Sequence, residues 1–377
     1  MKGRKLGLGI VVVLLVSLVA AVWAGLGGQA GAATERQGGG LTKVTLQLKW
    51  VTQAQFAGFY AAKAKGYYTG AGLDVNLKVG GPDITPEQVV ASGQAEFGID
   101  WLPALLAARD KGGDLVNIAQ IYTRSGMTEV THKDSGIKTI RQLRGKKVGV
   151  WCCGNENELF AALVKNGIDP KKRSEVTIVN QPFDMNLFLQ RKVDAAAAMT
   201  YNELAQVLES KNPKTGKLYT LADLNVIRMS EAGTGMLEDG VFTEGDWIKK
   251  PENQATARSF LRASFRGWIY CRDHQKECVD IVLANGPTLP AGHQRWQMNE
   301  VNALIWPAPG GIGVMNRTEF NRTAKIAQQF KVIGKAPSGA FRTDLAQAAV
   351  ASLKRAKVDV NGKRWRRIKV TLREGGK

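Results

Sequence analysis

A chain of 377 residues is longer than one typical domain and shorter than three, so two lobes are the starting expectation, and 44% apolar residues exclude a disordered chain. Its 52 basic against 33 acidic residues leave +19, a surplus that raises nucleic acid or an anionic membrane as partners. The distribution argues against nucleic acid: residues 340–377 hold eleven Lys or Arg against Asp344, Asp359 and Glu374, a net of +8, while the middle of the chain is only moderately basic.

The first 33 residues read as a targeting segment. Lys2, Arg4 and Lys5 precede an apolar run from Leu6 to Trp23, followed by Gly-rich sequence ending in Ala30-Gly31-Ala32. The run is at the border between a long signal core and a short membrane span, so residues 1–33 are a signal peptide or an N-terminal anchor. Either way the body is expected outside the cytoplasm, in the periplasm or on the outer face of the cell membrane. No Cys stands beside the expected cleavage point, which argues against a lipid anchor. Nothing later could span a bilayer, so membrane association is expected only through this segment or a membrane partner.

After the linker Gly38–Gly40, KVTLQLKW (Lys43–Trp50) alternates as a strand, FAGFYAAKAKGYYTGAG reads as a helix ending in glycines, and LDVNLKVGG as a second strand. The pattern repeats: EQVVASGQ helical, AEFGIDW a strand, PALLAARDKGG a helix with Pro103 in its first turn, LVNIAQIY a strand. A second set follows Met127. TIRQLRGKKVGVWCCGNENELFAALVKNG predicts helix, buried strand, Gly turn and helix, and EVTIVNQPFDMNLFLQRKVDAAAAMTYNELAQVLES predicts strand, helix, strand and helix. Strands alternating with helices imply an α/β fold with mainly parallel sheets flanked by helices. Residues 41–129 plus 235–335 are expected to form lobe 1 and 130–234 lobe 2, with crossings near Thr128–His132 and Gly233–Asp239. From Met236 the chain reads as mostly helical. Residues 336–377 read as a basic C-terminal extension with an Asn361-Gly362 turn between short β-like runs.

In an exported chain, cysteines are free to pair. One unbroken helix would hold Cys271 and Cys278 about 10.5 Å apart, too far for a bridge, whereas a break at Arg272–Gln275 would bring them together. A Cys271–Cys278 disulfide is therefore expected, two separately buried thiols being the alternative. Cys152 and Cys153 are expected as free thiols at a strand end, with a vicinal bridge as the alternative. His132, His274 and His293 are scattered, and no set of metal ligands in fixed spacing is seen.

No catalytic motif stands out. What the chain offers are strand ends carrying aromatic, amide or acidic residues, where an open α/β sheet presents its ligand face. These are Trp50 with Gln53, Gln55 and Phe56; Asp100 with Trp101; Trp151 with Asn155 and Glu156; Tyr201 and Asn202 beside Glu203; and Glu238 with Asp239. A flat heteroaromatic ligand needs faces to stack on and directional partners at its edge, which these types supply. Taken singly, each is as readily a core residue or a helix cap.

The run LQLKWVTQAQFAGFYAAKAKGYYTGAGLDVNL, with VVASGQAEFGIDW and LRGKKVGVW after it, resembles the thiamine pyrimidine precursor family among ABC-transporter solute-binding proteins, over about residues 42–335. The segments QAQFAGFY and WCCGNENELFAAL are similar to its riboflavin-binding branch. The resemblance implies a two-lobed periplasmic-binding-protein fold (type II) that captures a small heterocyclic ligand between its lobes and delivers it to an ABC transporter permease. It implies neither cofactor nor catalysis. The family also holds thiamine pyrimidine synthases, and the departures argue against that activity. Asp100 stands where they carry the Lys that binds pyridoxal phosphate, Phe56 stands where they carry a reactive His, and GTGMLEDGVF has no Cys where they have a Cys-rich run. An acid cannot form an imine. Binding of a polyanion or membrane surface through the basic tail is the remaining alternative.

Overall fold

Val44 and Leu46 turn inward from the first strand while Lys43 is exposed and Thr45, between them, is half-buried, the period-two pattern of a sheet packed on one side. The computed structural model describes residues 40–286 and 288–377, so the expected targeting segment lies outside the described residues. The first lobe opens β1 (Thr42–Gln47), α1 (Ala57–Ala64), β2 (Leu73–Lys78), α2 (Pro86–Ala91), β3 (Phe97–Trp101), α3 (Leu102–Asp110) and β4 (Leu115–Gln120). The second set runs β5 (Met127–His132), β6 (Lys147–Val150), α4 (Asn157–Lys165), β7 (Thr177–Asn180), α5 (Asn186–Leu189), β8 (Ala195–Met199), α6 (Glu203–Leu208), β9 (Leu224–Arg228) and α7 (Met229–Ala232). The chain then returns through β10 (Asp239–Glu244), α8 (Gly245–Lys249), α9 (Pro251–Asp273), α10 (Gln275–Asn285), α11 (Ala291–Ile305), α12 (Arg317–Gln329) and α13 (Asp344–Arg355).

The strands form two sheets of the same plan, β2-β1-β3-β10-β4 and β7-β6-β8-β5-β9. In the first, β10 runs antiparallel between β3 and β4; in the second, β5 runs antiparallel between β8 and β9. The remaining recorded pairs, β1 with β2 and β3 and β6 with β7 and β8, are parallel. Each sheet thus receives, at the same place, the strand the chain forms just after crossing over. The run Ala195–Ala198 is a strand despite the helix preference of alanine, because β6 and β5 pair it on both sides and its small side chains fit a fully buried centre.

The structure corrects several sequence expectations. Thr128–His132 is no crossing: it is β5, paired on both edges, and the chain crosses at Ile121–Gly126 instead. The stretch after Met236 begins with a central strand, β10, whose partners β3 and β4 are far off in sequence. The helix expected at Thr139 is a single 3-10 turn, Ile140–Leu143, opened by a Thr139/Gln142 capping box and followed by Gly145 at φ 72°. In the C-terminal extension, α13 buries Leu345, Ala349 and Leu353 against the core, and the expected hairpin around Asn361 is absent among the described residues. The Asp359 carboxylate accepts instead from the N–H groups of Asn361 and Gly362, folding a local turn.

A stack of Tyr68, Phe97 and Phe260 sits under the first sheet, with Phe97 and Phe260 centroids 4.3 Å apart. Helix α9 reaches α1 through Gly267, where a Cβ would stand 1.9 Å from the Gly58 carbonyl oxygen, so any larger residue would push the helices apart. The long helical stretch breaks at His274, and Cys271 and Cys278 pair with Cα atoms 5.4 Å apart. Cys152 and Cys153, expected as free thiols, are joined to each other instead. Cys153 takes a left-handed φ of 68° just before Gly154 at 104°, folding the backbone back at the end of β6.

Candidate functional site

The carboxyl ends of the two sheets share one narrow cavity of about 20 Å³, room for little more than a water molecule. Trp50 follows β1 and Trp151 follows β6; Trp101 ends β3 and Tyr201 follows β8. Since β1 and β6 hold the same place in their sheets, as do β3 and β8, the lining rings occupy corresponding strand ends. Trp50 and Trp151 meet at 6.3 Å and 71°, and Trp50 lies 6.5 Å from Phe183. The Trp151 indole N–H donates to the Pro182 carbonyl at 3.2 Å, which fixes its ring plane.

Between the rings lie polar edges from the turns that lead into α1, α4 and α6. Gln53 Nε2 donates to Gln55 Oε1 at 2.6 Å, and Gln55 Nε2 donates to Asp239 Oδ2 at 2.9 Å. The turn holding both glutamines is pinned by Gln294 and Gln297, whose Oε1 atoms each accept from the Ala54 N–H at 2.8 Å. Asn155 Nδ2 donates to the Cys152 carbonyl at 2.7 Å, closing the turn before α4. Asn202 donates to Glu203 Oε1 at 2.7 Å, and its Oδ1 faces His293 Nε2 at 2.9 Å, while His293 Nδ1 contacts Glu209 at 2.8 Å.

The charges are arranged in pairs or neutralised. Lys49 bonds Asp100 as a buried ion pair and lies 4.7 Å from the centroid of the Trp101 ring. Burial pushes the Glu203 carboxyl up to about 8, against the pull of the Met199 N–H it accepts from. Burial likewise raises Asp239 to about 7, opposed by Gln55 and Lys49. Glu87, beneath Asp100, is raised well above its ordinary range by burial and then by the Asp100 charge. No lining residue is Ser, Cys or His, and the one amine, Lys49, is held by Asp100.

Of the sequence candidates, Trp50, Gln53, Gln55, Trp101, Trp151, Asn155, Tyr201 and Asn202 line the cavity. Five stand elsewhere. Phe56, which closes the 3-10 turn Ala54–Phe56 just before α1, is fully buried in the core. Asp100 is turned to Lys49 and to the Trp101 N–H, and Asp239 sits behind Gln55. Glu156 accepts from the Gly154 N–H within its own turn. Glu238 accepts from the Gly126 and Met127 N–H groups, tying one crossing to the other, and Glu158 does the same through Ser125 and the Met236 N–H. Lys49 and Met199 line the cavity and were not singled out, although each adjoins a cluster that was; Glu203 closes the cluster of Tyr201 and Asn202.

Residues 53–278 match the family model described as NMT1/THI5 like. The riboflavin-binding protein RibY of Chloroflexus aurantiacus is 25% identical over 340 residues, spanning 86% of this chain and 92% of that protein. The formylaminopyrimidine-binding protein of Halalkalibacterium halodurans is 22% identical over 248 residues, 65% of this chain and 71% of that protein. In fold, the chain is similar to the periplasmic aliphatic sulphonate-binding protein SsuA of Escherichia coli, with a TM-score of 0.57 and 15% identity over 81% of this chain and 91% of that one. The family match runs through strands of both sheets, and with the periplasmic-binding-protein architecture around it, the chain belongs to the NMT1/THI5-like family.

Proposed function

We propose that the protein is the exported solute-binding component of an ABC importer, which closes its two lobes around a planar nitrogen heterocycle and hands it to a membrane permease. The ligand class is a thiamine pyrimidine precursor or a riboflavin-like vitamin. The observation that carries the reading is the convergence of Trp50, Trp101, Trp151 and Tyr201, from corresponding ends of two sheets, on one cavity whose other walls include the amides of Gln53, Gln55, Asn155 and Asn202. Rings supply stacking faces and amides supply edge partners, the division of labour a flat heterocycle needs. The names of RibY and of the formylaminopyrimidine-binding protein point the same way. Against a synthase stand Asp100 and Phe56 at the positions where the resemblance would require Lys and His.

Mass spectrometry and absorbance of ligand retained by purified protein test this directly, followed by calorimetry with riboflavin and with 4-amino-5-hydroxymethyl-2-methylpyrimidine. A retained or titrated heterocycle in one-to-one ratio supports the reading. Protein that carries none and binds neither compound overturns it. Binding that weakens steeply with salt would instead favour a polyanion on the basic tail.

A further inference from the structure

The polar chain Gln53–Gln55–Asp239 has a direction. A carboxylate accepts and cannot donate, so Gln55 must turn its amide nitrogen to Asp239 Oδ2 and leave its carbonyl for Gln53. Gln53 in turn spends its nitrogen on Gln55, and its Oε1 is left buried with no partner at the cavity wall. Gln53 itself is 1% exposed and this acceptor has no partner among the protein's own donors, a costly arrangement unless something in the cavity donates to it. With Asp239 ionised this order does not depend on how the amides were oriented, because a flipped Gln55 would set its carbonyl against the carboxylate.

We propose that Asp239, acting through Gln55, fixes Gln53 as a hydrogen-bond acceptor, so that the cleft selects heterocycles whose edge presents an N–H or O–H donor to Gln53 Oε1. The proposal rests on the heterocycle reading above and adds the polarity of the ligand edge. Asp239 touches no ligand in this scheme; it is a positioning residue. Its polarity control is reversible. With a proton on Asp239 the chain can invert: the carboxyl donates to Gln55, Gln55 to Gln53, and Gln53 offers N–H to the cavity. The groups around Asp239 are its neighbour Glu238 just before β10, Lys49 beyond β1, Asp100 on β3, and Tyr122 and Tyr201. Burial among them sets the Asp239 carboxyl to about 7, so both senses are reachable near neutral pH.

The consequence is a sign. A donor-bearing ligand binds the ionised form, so its affinity rises with pH and levels off above the carboxyl's range. If only that form binds, the change between pH 6 and pH 8 is about ten-fold. Calorimetry with riboflavin and with 4-amino-5-hydroxymethyl-2-methylpyrimidine, both of which carry N–H donors, measures this in the parent, Asp239→Asn and Gln53→Met. The titration of each free probe is measured separately and divided out. The expected result is a rise of about ten-fold in the parent and a flat profile in both variants, since Asn accepts or donates at any pH and Met ends the relay. Trp50→Ala should weaken binding while leaving the slope. A parent that binds with a flat profile, or a slope that survives in Gln53→Met, overturns the relay and leaves the heterocycle reading standing. A parent that binds neither probe overturns both.

Discussion

Trp50 and Trp151 meet edge to face, their ring centroids 6.3 Å apart and their planes at 71°, one ring delivered by each sheet. Both line the cavity, so a flat ligand entering between the lobes exchanges this edge contact for face contacts with either ring. Aromatic stacking adds about 0.5–1.5 kcal/mol beyond burial, and about 1.4 kcal/mol is a ten-fold change in affinity. Trp50→Ala and Trp151→Ala are therefore each expected to weaken binding of the retained ligand ten-fold or more, by calorimetry. Two variants that bind like the parent would mean the cavity is not the binding site.

The buried carboxyls predict how stability follows pH. Burial pushes Glu158 and Glu203 up to about 8 and Asp239 to about 7, and raises Glu129 and Glu238 well above their ordinary range. Unfolded, all of them ionise near 4. The folded protein thus holds more protons than the unfolded chain above that point, and the stability present below it is lost as pH rises through the folded values. His132, lowered by burial, works in the opposite sense below about pH 6.5. Melting temperature should fall between pH 6.5 and pH 8, and Glu203→Gln should flatten the fall. Calorimetric scans that rise over this window would contradict the burial of these groups.

How much of this was legible in the sequence follows from the range of the interactions. The βαβ rhythm, the strand-end rings and the turn amides are local patterns, and they located β1 to β4, β6 to β8 and most of the cavity wall. The crossing strands were not readable as such. Thr128–His132 holds a single apolar residue, Val130, and so shows no alternation, and Asp239–Glu244 is a strand because β3 and β4 wait for it, more than 115 residues back in the chain. Asp100 was placed on the ligand because a carboxylate at a strand end usually faces the cleft; the adjacent Lys49, two positions from the end of β1, neutralises it from across the sheet. Such partners are set by register, which composition does not carry.

The break at His274 leads to a third expectation. Cys271 and Cys278 join the end of α9 to the start of α10, closing a short loop. By chain-entropy reasoning a loop of this size is worth about 2 kcal/mol. Both sulfurs are fully buried, so a reductant should act only after local opening. The Cys271→Ala, Cys278→Ala double variant should melt lower than the parent and unfold at lower denaturant, by about that free energy. An unchanged midpoint would show that α9 and α10 hold their packing without the link.

The C-terminal segment bears on how far the lobes can part. A two-lobed binding protein opens by rotating about its crossings, with little repacking within each lobe. Here the chain after α13, which packs in the first lobe, continues along α11 and ends on the second. Arg367 bonds Glu300 at 2.8 Å, Ile368 exchanges backbone bonds with the Asn299 side chain at 3.0 Å, and the Gly375 N–H donates to the Glu209 carbonyl just beyond α6 at 3.0 Å. The exposed Lys211–Glu374 pair adds little, but Gly376 is buried against His293 and Glu209, where a Cβ would stand 2.9 Å from His293. Opening must therefore peel residues 374–376 from α6 or carry α11 along with it. Deleting Arg366–Lys377 removes that tether and leaves the two crossings and the bonds of His293 and Trp296 on α11 to Asn202, Glu209 and Thr200, so the unliganded variant should show a larger radius of gyration by small-angle scattering than the unliganded parent. Saturating ligand should bring the variant back toward the closed value at a lower affinity, because closure now starts from a more open ensemble. Superimposable scattering curves for unliganded parent and variant would mean that the tail only covers α11 and does not restrain the hinge.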